Sequence, residues 1–109
     1  MIPPTKETPM NKTLLLQAIN AGAAYGKTLN VDWYPCGFAG IAYKCRKNAK
    51  ESKVLIECGF RWSNWNKEYR LSAPEGSQSM TAKEMVAQYI IDRLEAEGVK
   101  GFTIYSQID

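Results

Sequence analysis

Two hydrophobic periods alternate along this chain, and the points where one gives way to the other divide it into elements. Leu15, Ala18, Ile19, Gly22 and Ala23 recur at helical spacing, which predicts a helix from Asn11 to Gly26. Its later half is made of small residues, so the helix is expected to pack close to a sheet. Period two then takes over. Leu29, Val31 and Trp33 alternate with Asn30, Asp32 and Tyr34 until Pro35 breaks the segment. Gly37 to Arg46 resumes the alternation, with Ala39, Ile41, Tyr43 and Cys45 on one face. Lys47 to Ser52 reads as a hairpin loop. Lys53 to Trp62 alternates most cleanly, placing Val54, Ile56, Cys58, Phe60 and Trp62 inward. Ser63 to Asn66 is a turn, and Lys67 to Ser72 is a further strand with Tyr69 and Leu71 facing the core.

Helical spacing returns after residue 80. Thr81 and Glu84 have the spacing of a capping box, with Met80 and Met85 at the positions of a hydrophobic staple. Gly98 suits a left-handed C-terminal stop, with Val99 placed to contact Leu94. The predicted helix is Ala82–Glu97. Its polar face of Glu84, Gln88, Asp92 and Glu95 is narrow, and the apolar arc of Val86, Ala87, Tyr89, Ile90, Ile91 and Leu94 is wide. Such a helix is deeply buried or covered by a partner. Phe102, Ile104 and Ile108 then mark a last strand. The expected fold is α+β: a mostly antiparallel sheet of about five strands with two helices on one face, in the order α-β-β-β-β-α-β.

Length changes the picture little, since 109 residues suit a single core. Residues 1–10, with three prolines, are expected to form a disordered leader, and residues 11–109 one domain. Neither a membrane span nor the basic and apolar regions of a signal peptide is visible, so the expected location is the cytoplasm. Chemistry is narrowed more sharply. There is no histidine, and Cys36, Cys45 and Cys58 form no Cys-x-x-Cys pair. A structural zinc site needs about four such ligands, so no metal or other cofactor is expected. Without histidine, neither a Ser-His nor a Cys-His nucleophile pair exists, and a non-enzymatic role is favoured.

The net charge of +3 is unevenly spread. Residues 44–70 carry eight basic against three acidic residues, a local +5, whereas residues 71–109 carry three against six, a local −3. Within the basic part, Arg61, Trp62, Trp65, Lys67, Tyr69 and Arg70 interleave aromatic and cationic groups, a pattern able to stack bases and pair phosphates. Alternation assigns Trp62 and Tyr69 to the core. Trp65 falls in the turn, where burial is harder, and is the expected anchor for a partner. The candidate contacts are therefore Trp65, Arg61, Lys67 and Arg70, followed by Lys47 and Lys50 in the basic loop. Two other patterns carry less. Ala21 to Thr28 fits a relaxed phosphate-binding loop, but a helix precedes it and a strand follows, the reverse of what that chemistry needs. Asp32, Glu57, Glu68, Asp92 and Glu95 cannot be paired as acid and base from sequence.

Cys36-Gly37-Phe38-Ala39 opening a strand, then Tyr69-Arg70-Leu71, Gln78-Ser79-Met80 and a helix closing on Leu94 and Gly98 form a combination over about residues 33–109. It resembles short, uncharacterised accessory proteins encoded by bacteriophages and prophages, from which the basic Lys44–Lys53 loop departs. The resemblance implies no catalytic residues. It implies a protein that binds and blocks a host factor, a protein or a protein–nucleic acid complex, including defence systems such as CRISPR effectors. Direct nucleic-acid binding through the basic, aromatic surface is the second expectation. A small enzyme or nucleotide-signal binder using Tyr, Lys and carboxylates is the third.

Overall fold

Asn11 starts the first helix as predicted. Its backbone is extended, and its side-chain oxygen accepts from the amides of Thr13 and Leu14 at 2.8 and 3.2 Å, capping helix α1 (Lys12–Gly26). The structure is a computed structural model and describes residues 10–29, 37–74 and 80–108. Of the expected leader only Met10 falls within them, and it packs against the core instead of trailing free. The expected strand at 29–34 lies outside the described residues except for Leu29, which is in a loop.

After α1 come strand β1 (Gly37–Tyr43), helix α2 (Ser52–Glu57), strands β2 (Arg61–Ser63) and β3 (Glu68–Ser72), helix α3 (Met80–Ala96) and strand β4 (Phe102–Ile108). Among the described residues the order is therefore α-β-α-β-β-α-β, with three helices and four strands where two helices and about five strands were expected. The α+β class and the antiparallel sheet hold. The strands lie in the order β2-β3-β1-β4, every neighbouring pair antiparallel. From β1 onward this is the connectivity of the ferredoxin-like split β-α-β-β-α-β arrangement, with α1 added in front.

The largest correction concerns residues 53–62, expected as one long strand. Val54, Leu55 and Cys58 also share one face of a helix, because a short apolar run satisfies both periods. Tertiary packing chooses the helix: Leu55 is fully buried while Ile56, assigned inward by alternation, is 58% exposed. The Ser52 hydroxyl donates to the Ala49 carbonyl at 2.6 Å at its start. At its end Gly59 adopts a φ of 98° and the Phe60 amide returns to the Leu55 carbonyl at 2.9 Å. Residues 47–52 are consequently a loop into α2 and not a hairpin.

Helix α3 starts earlier than expected. Met80 and Thr81 are already helical, so Thr81 is not the cap, and Met85 is exposed instead of stapled. Its far end is as read: Gly98 sits at φ 86°, with the Val99 amide bonded to the Leu94 carbonyl and the Gly98 amide to that of Glu95, both at 2.9 Å. The wide apolar arc is explained by α3's position, since it packs on α1 and also on β1 and β4. Val86, Ala87, Ile90 and Leu94 are buried there with Leu15, Ile41, Leu55 and Tyr69. The small residues of α1 serve this helix–helix contact and not a sheet contact, for Gly22 lies directly against Ile90 and Val86.

Candidate binding surface

Strand register fixes which side chains share a face. Tyr43 pairs with Tyr69 and Phe102, Ile41 with Leu71 and Ile104, and Trp62 with Tyr69, so these residues point together into the core under the helices. Phe38, Gly40, Ala42, Arg61, Arg70, Ser72, Thr103 and Tyr105 point to the other face, on which no described helix packs. Tyr69 and Trp62 belong to the core as expected. Their rings meet edge to face at 5.0 Å, and the Tyr69 hydroxyl donates to the Lys47 carbonyl at 2.5 Å. The Trp62 indole nitrogen is buried with no hydrogen-bond partner among the described residues.

The β2–β3 hairpin presents the expected anchor. Trp65 is 94% exposed in a built turn. The Asn66 amide and side chain both donate to the Ser63 hydroxyl at 3.2 Å. Lys67 takes a φ of 56° and donates from Nζ to the Asn64 side-chain oxygen at 3.3 Å. A large aromatic ring held in water on a fixed turn loses hydrophobic free energy that a partner would return. Because β1 ends at Tyr43 opposite Tyr69, the loop after β1 emerges at the same end of the sheet as this turn. The exposed Lys44, Arg46, Lys47 and Lys50 are thus brought toward the Trp65 end.

Arg61 and Arg70 lie one step further along the open face, directly opposite each other in the β2–β3 ladder. Like charges at paired positions destabilise a sheet. Glu68 offsets part of this by accepting from Arg70 Nε at 2.6 Å. Arg61 is exposed, and no ion pair engages it among the described residues. The Tyr105 side chain reaches from β4 across β1, its hydroxyl 3.5 Å from that of Ser72 on β3, and the Arg70 guanidinium carbon lies 4.3 Å from the Tyr105 ring centre. The β1 residues Gly40 and Ala42 are small and buried, and a Cβ at Gly40 would run into the Leu71 carbonyl of β3. Phe38, 52% exposed, continues the surface, with Lys83 Nζ 5.3 Å from its ring and bonded to the Gly37 carbonyl at 3.0 Å. Phe38, Tyr105 and Lys83 are not among the contacts expected from the sequence. Phe38 was readable in principle, as an aromatic residue out of phase with Ala39 and Ile41.

Most of the remaining sequence candidates are held by structural contacts, and Glu95 is exposed. Ala21 to Gly26 is helical, not a phosphate-binding loop. Glu57 pairs with Lys12 at 3.5 Å, Glu68 with Arg70, and Asp92 accepts from Gln88 at 2.8 Å, while Asp32 lies outside the described residues. Burial pushes the Cys58 thiol above its ordinary value, with Lys12 opposing and Glu57 adding, and burial followed by Glu51 raises Cys45 likewise. Neither is an activated thiolate. Among the described residues no three Cys, Asp or Glu side chains gather as a metal site, and no helix is long and apolar enough to cross a membrane. Two depressions, between α1 and α3 beside Leu14 and Arg93 and beside Tyr25 and Tyr89, measure about 200 and 220 Å³. Small-molecule sites more often enclose roughly 300–1,000 Å³. Comparison with protein-family models, with curated proteins and with solved structures finds no match to this chain. The site's own chemistry has to carry the functional reading.

Proposed function

We propose that this protein is a non-enzymatic accessory protein of the bacteriophage and prophage kind that binds and modulates a macromolecule of its bacterial host, acting as an anti-defence inhibitor. The single observation that carries the binding part is Trp65, 94% exposed on the β2–β3 turn, at the end of the sheet from which the basic loop after β1 also emerges. An exposed tryptophan in the same hairpin as two arginines matches the composition of interface anchors. The anti-defence part rests on the resemblance of residues 33–109 to phage proteins. In this reading Trp65 enters a pocket of the partner, and Arg61, Lys67 and Arg70 fix its orientation. Lys47 and Lys50 raise the association rate by attracting an acidic surface.

The test is affinity capture from bacterial lysate with the tagged protein beside its Trp65→Ala and Arg61→Ala variants. The wild-type chain should retain a specific macromolecule that both variants release. Retention of the same species by all three proteins, or of none by the wild-type chain, would contradict the proposal.

A further inference from the structure

The sheet face on which no described helix packs carries two features that an arbitrary protein partner does not require. One is the pair of opposed arginines. Arg70 has its Nε committed to Glu68, and its two Nη groups make no hydrogen bond to any described residue. Arg61 stands opposite with no counter-ion among the described residues. Two guanidinium groups at paired ladder positions with one carboxylate between them leave an excess positive charge, and a phosphate bridging the two forks would neutralise it. Violation of a local stability rule in this way marks functional positions.

The second feature is a row of rings. Phe38 pairs with Gln107 and Gly40 with Tyr105, so Phe38 and Tyr105 are diagonal neighbours on adjacent strands, about 7 Å apart at their Cβ atoms. Tyr105 already stacks on one guanidinium. Phe38 lies within 5.3 Å of the Lys83 ammonium and is half open to solvent. Between the Arg70–Ala42 row and Phe38 the strand advances four residues, about 13 Å, room for two or three unstacked bases. No acidic residue lies on the open side of β1 or β4.

An exposed ring on the same face as an unpaired Arg61 and the uncommitted Nη groups of Arg70 matches the alternation of base and phosphate in an unpaired strand. We infer that the open face binds single-stranded nucleic acid, with Arg61 and the Nη groups of Arg70 on a phosphate and Phe38 under a base. The inference rests on the binding reading above and names the partner's contacting part. Duplexes are disfavoured because their bases are stacked away from such a platform.

Fluorescence anisotropy with fluorescein-labelled 12-nucleotide oligo-dT and oligo-U, and a labelled 12-base-pair duplex, tests this on the full chain. Either single strand should bind at 50 mM salt and the duplex at least tenfold more weakly. Affinity should fall with salt at a log–log slope of about −0.7 per phosphate contact. Arg61→Gln should reduce that slope by about 0.7, whereas Phe38→Ala should weaken binding at least fivefold with the slope unchanged. Phe38→Tyr should restore affinity, which separates stacking from loss of fold. A preference for oligo-U would place the 2′-hydroxyl in the site, and equal binding would confine recognition to bases and phosphates; both support the inference. No binding of either strand, duplex binding as tight as single-strand binding, or an unaffected Phe38→Ala variant would overturn it. Capture of a host protein lost on Trp65→Ala would leave the broader binding reading standing in that event.

Discussion

Replacing Gly22 by alanine should destabilise this protein even though alanine is the better helix former. A Cβ at position 22 would lie 2.4 Å from Ile90 Cγ1, 2.8 Å from its Cδ1 and 3.5 Å from Val86 Cγ1. Carbon atoms pack at about 3.5–4.0 Å, so the first overlap exceeds 1 Å. Ile90 is 1% exposed and β-branched, leaving it few rotamers to retreat into. Relief from glycine's backbone entropy is worth about 0.5–1 kcal/mol, and overpacking a filled core costs about 1–3 kcal/mol. The expected net loss is about 1 kcal/mol, a visible fraction of the roughly 5–15 kcal/mol available to a domain of this size. Urea denaturation followed by circular dichroism measures it. Ile90→Ala alone should cost about 2–5 kcal/mol. Combined with Gly22→Ala the loss should fall short of the sum by about 1 kcal/mol, because the new methyl occupies vacated space. A stabilised Gly22→Ala protein, or strictly additive losses, would refute the account of how α1 meets α3.

Four further outcomes follow from named contacts. Trp65→Ala should shift stability by no more than about 0.5 kcal/mol in the same urea titration, since the ring is almost wholly in water; a larger loss would mean it is part of the fold. Arg61→Thr should raise stability by a few tenths to about 1 kcal/mol, more at low salt, while weakening binding; loss of both together would remove the argument from opposed charges. Gly98→Ala should cost about 1–2 kcal/mol in thermal melts, because the helix stop at φ 86° excludes a side chain; an unchanged melting temperature would count against the stop. The two raised thiols bind protons more tightly when folded, so their contribution is full below the ordinary thiol value of 9.0 and is lost as pH climbs past it. Urea midpoints between pH 8 and 10.5 should therefore fall more steeply for the wild-type chain than for Cys45→Ala/Cys58→Ala, and parallel curves would deny those cysteines a role.

Where sequence pattern and structure agree, a residue with one conformational use decided the element. Asn11 caps α1, Gly98 stops α3, and the hairpin turns one residue later than read, over 64–67 with Ser63 still in β2, leaving Trp65 outside. Where they differ, one pattern served two structures. Residues 53–58 satisfy a strand and a helical turn equally, and only the burial of Leu55 under the core separates them. Thr81 has the chemistry of a cap, but the helix continues through it to Met80, so spacing alone misplaced the start. The candidate surface was legible in part. Trp65, Arg61, Lys67 and Arg70 lie within ten residues and stay together in the hairpin, whereas Phe38, Tyr105 and Lys83 join them only through strand register and the packing of α3. No local pattern carries that information.

Photo-cross-linking examines the central claim most directly. With p-benzoylphenylalanine in place of Trp65, and separately in place of Gln88 on the exposed polar side of α3, the protein is irradiated in bacterial lysate. The account predicts a discrete adduct from position 65 and none from position 88. An adduct formed from position 88, with position 65 silent, would put the working surface on the helices and contradict it.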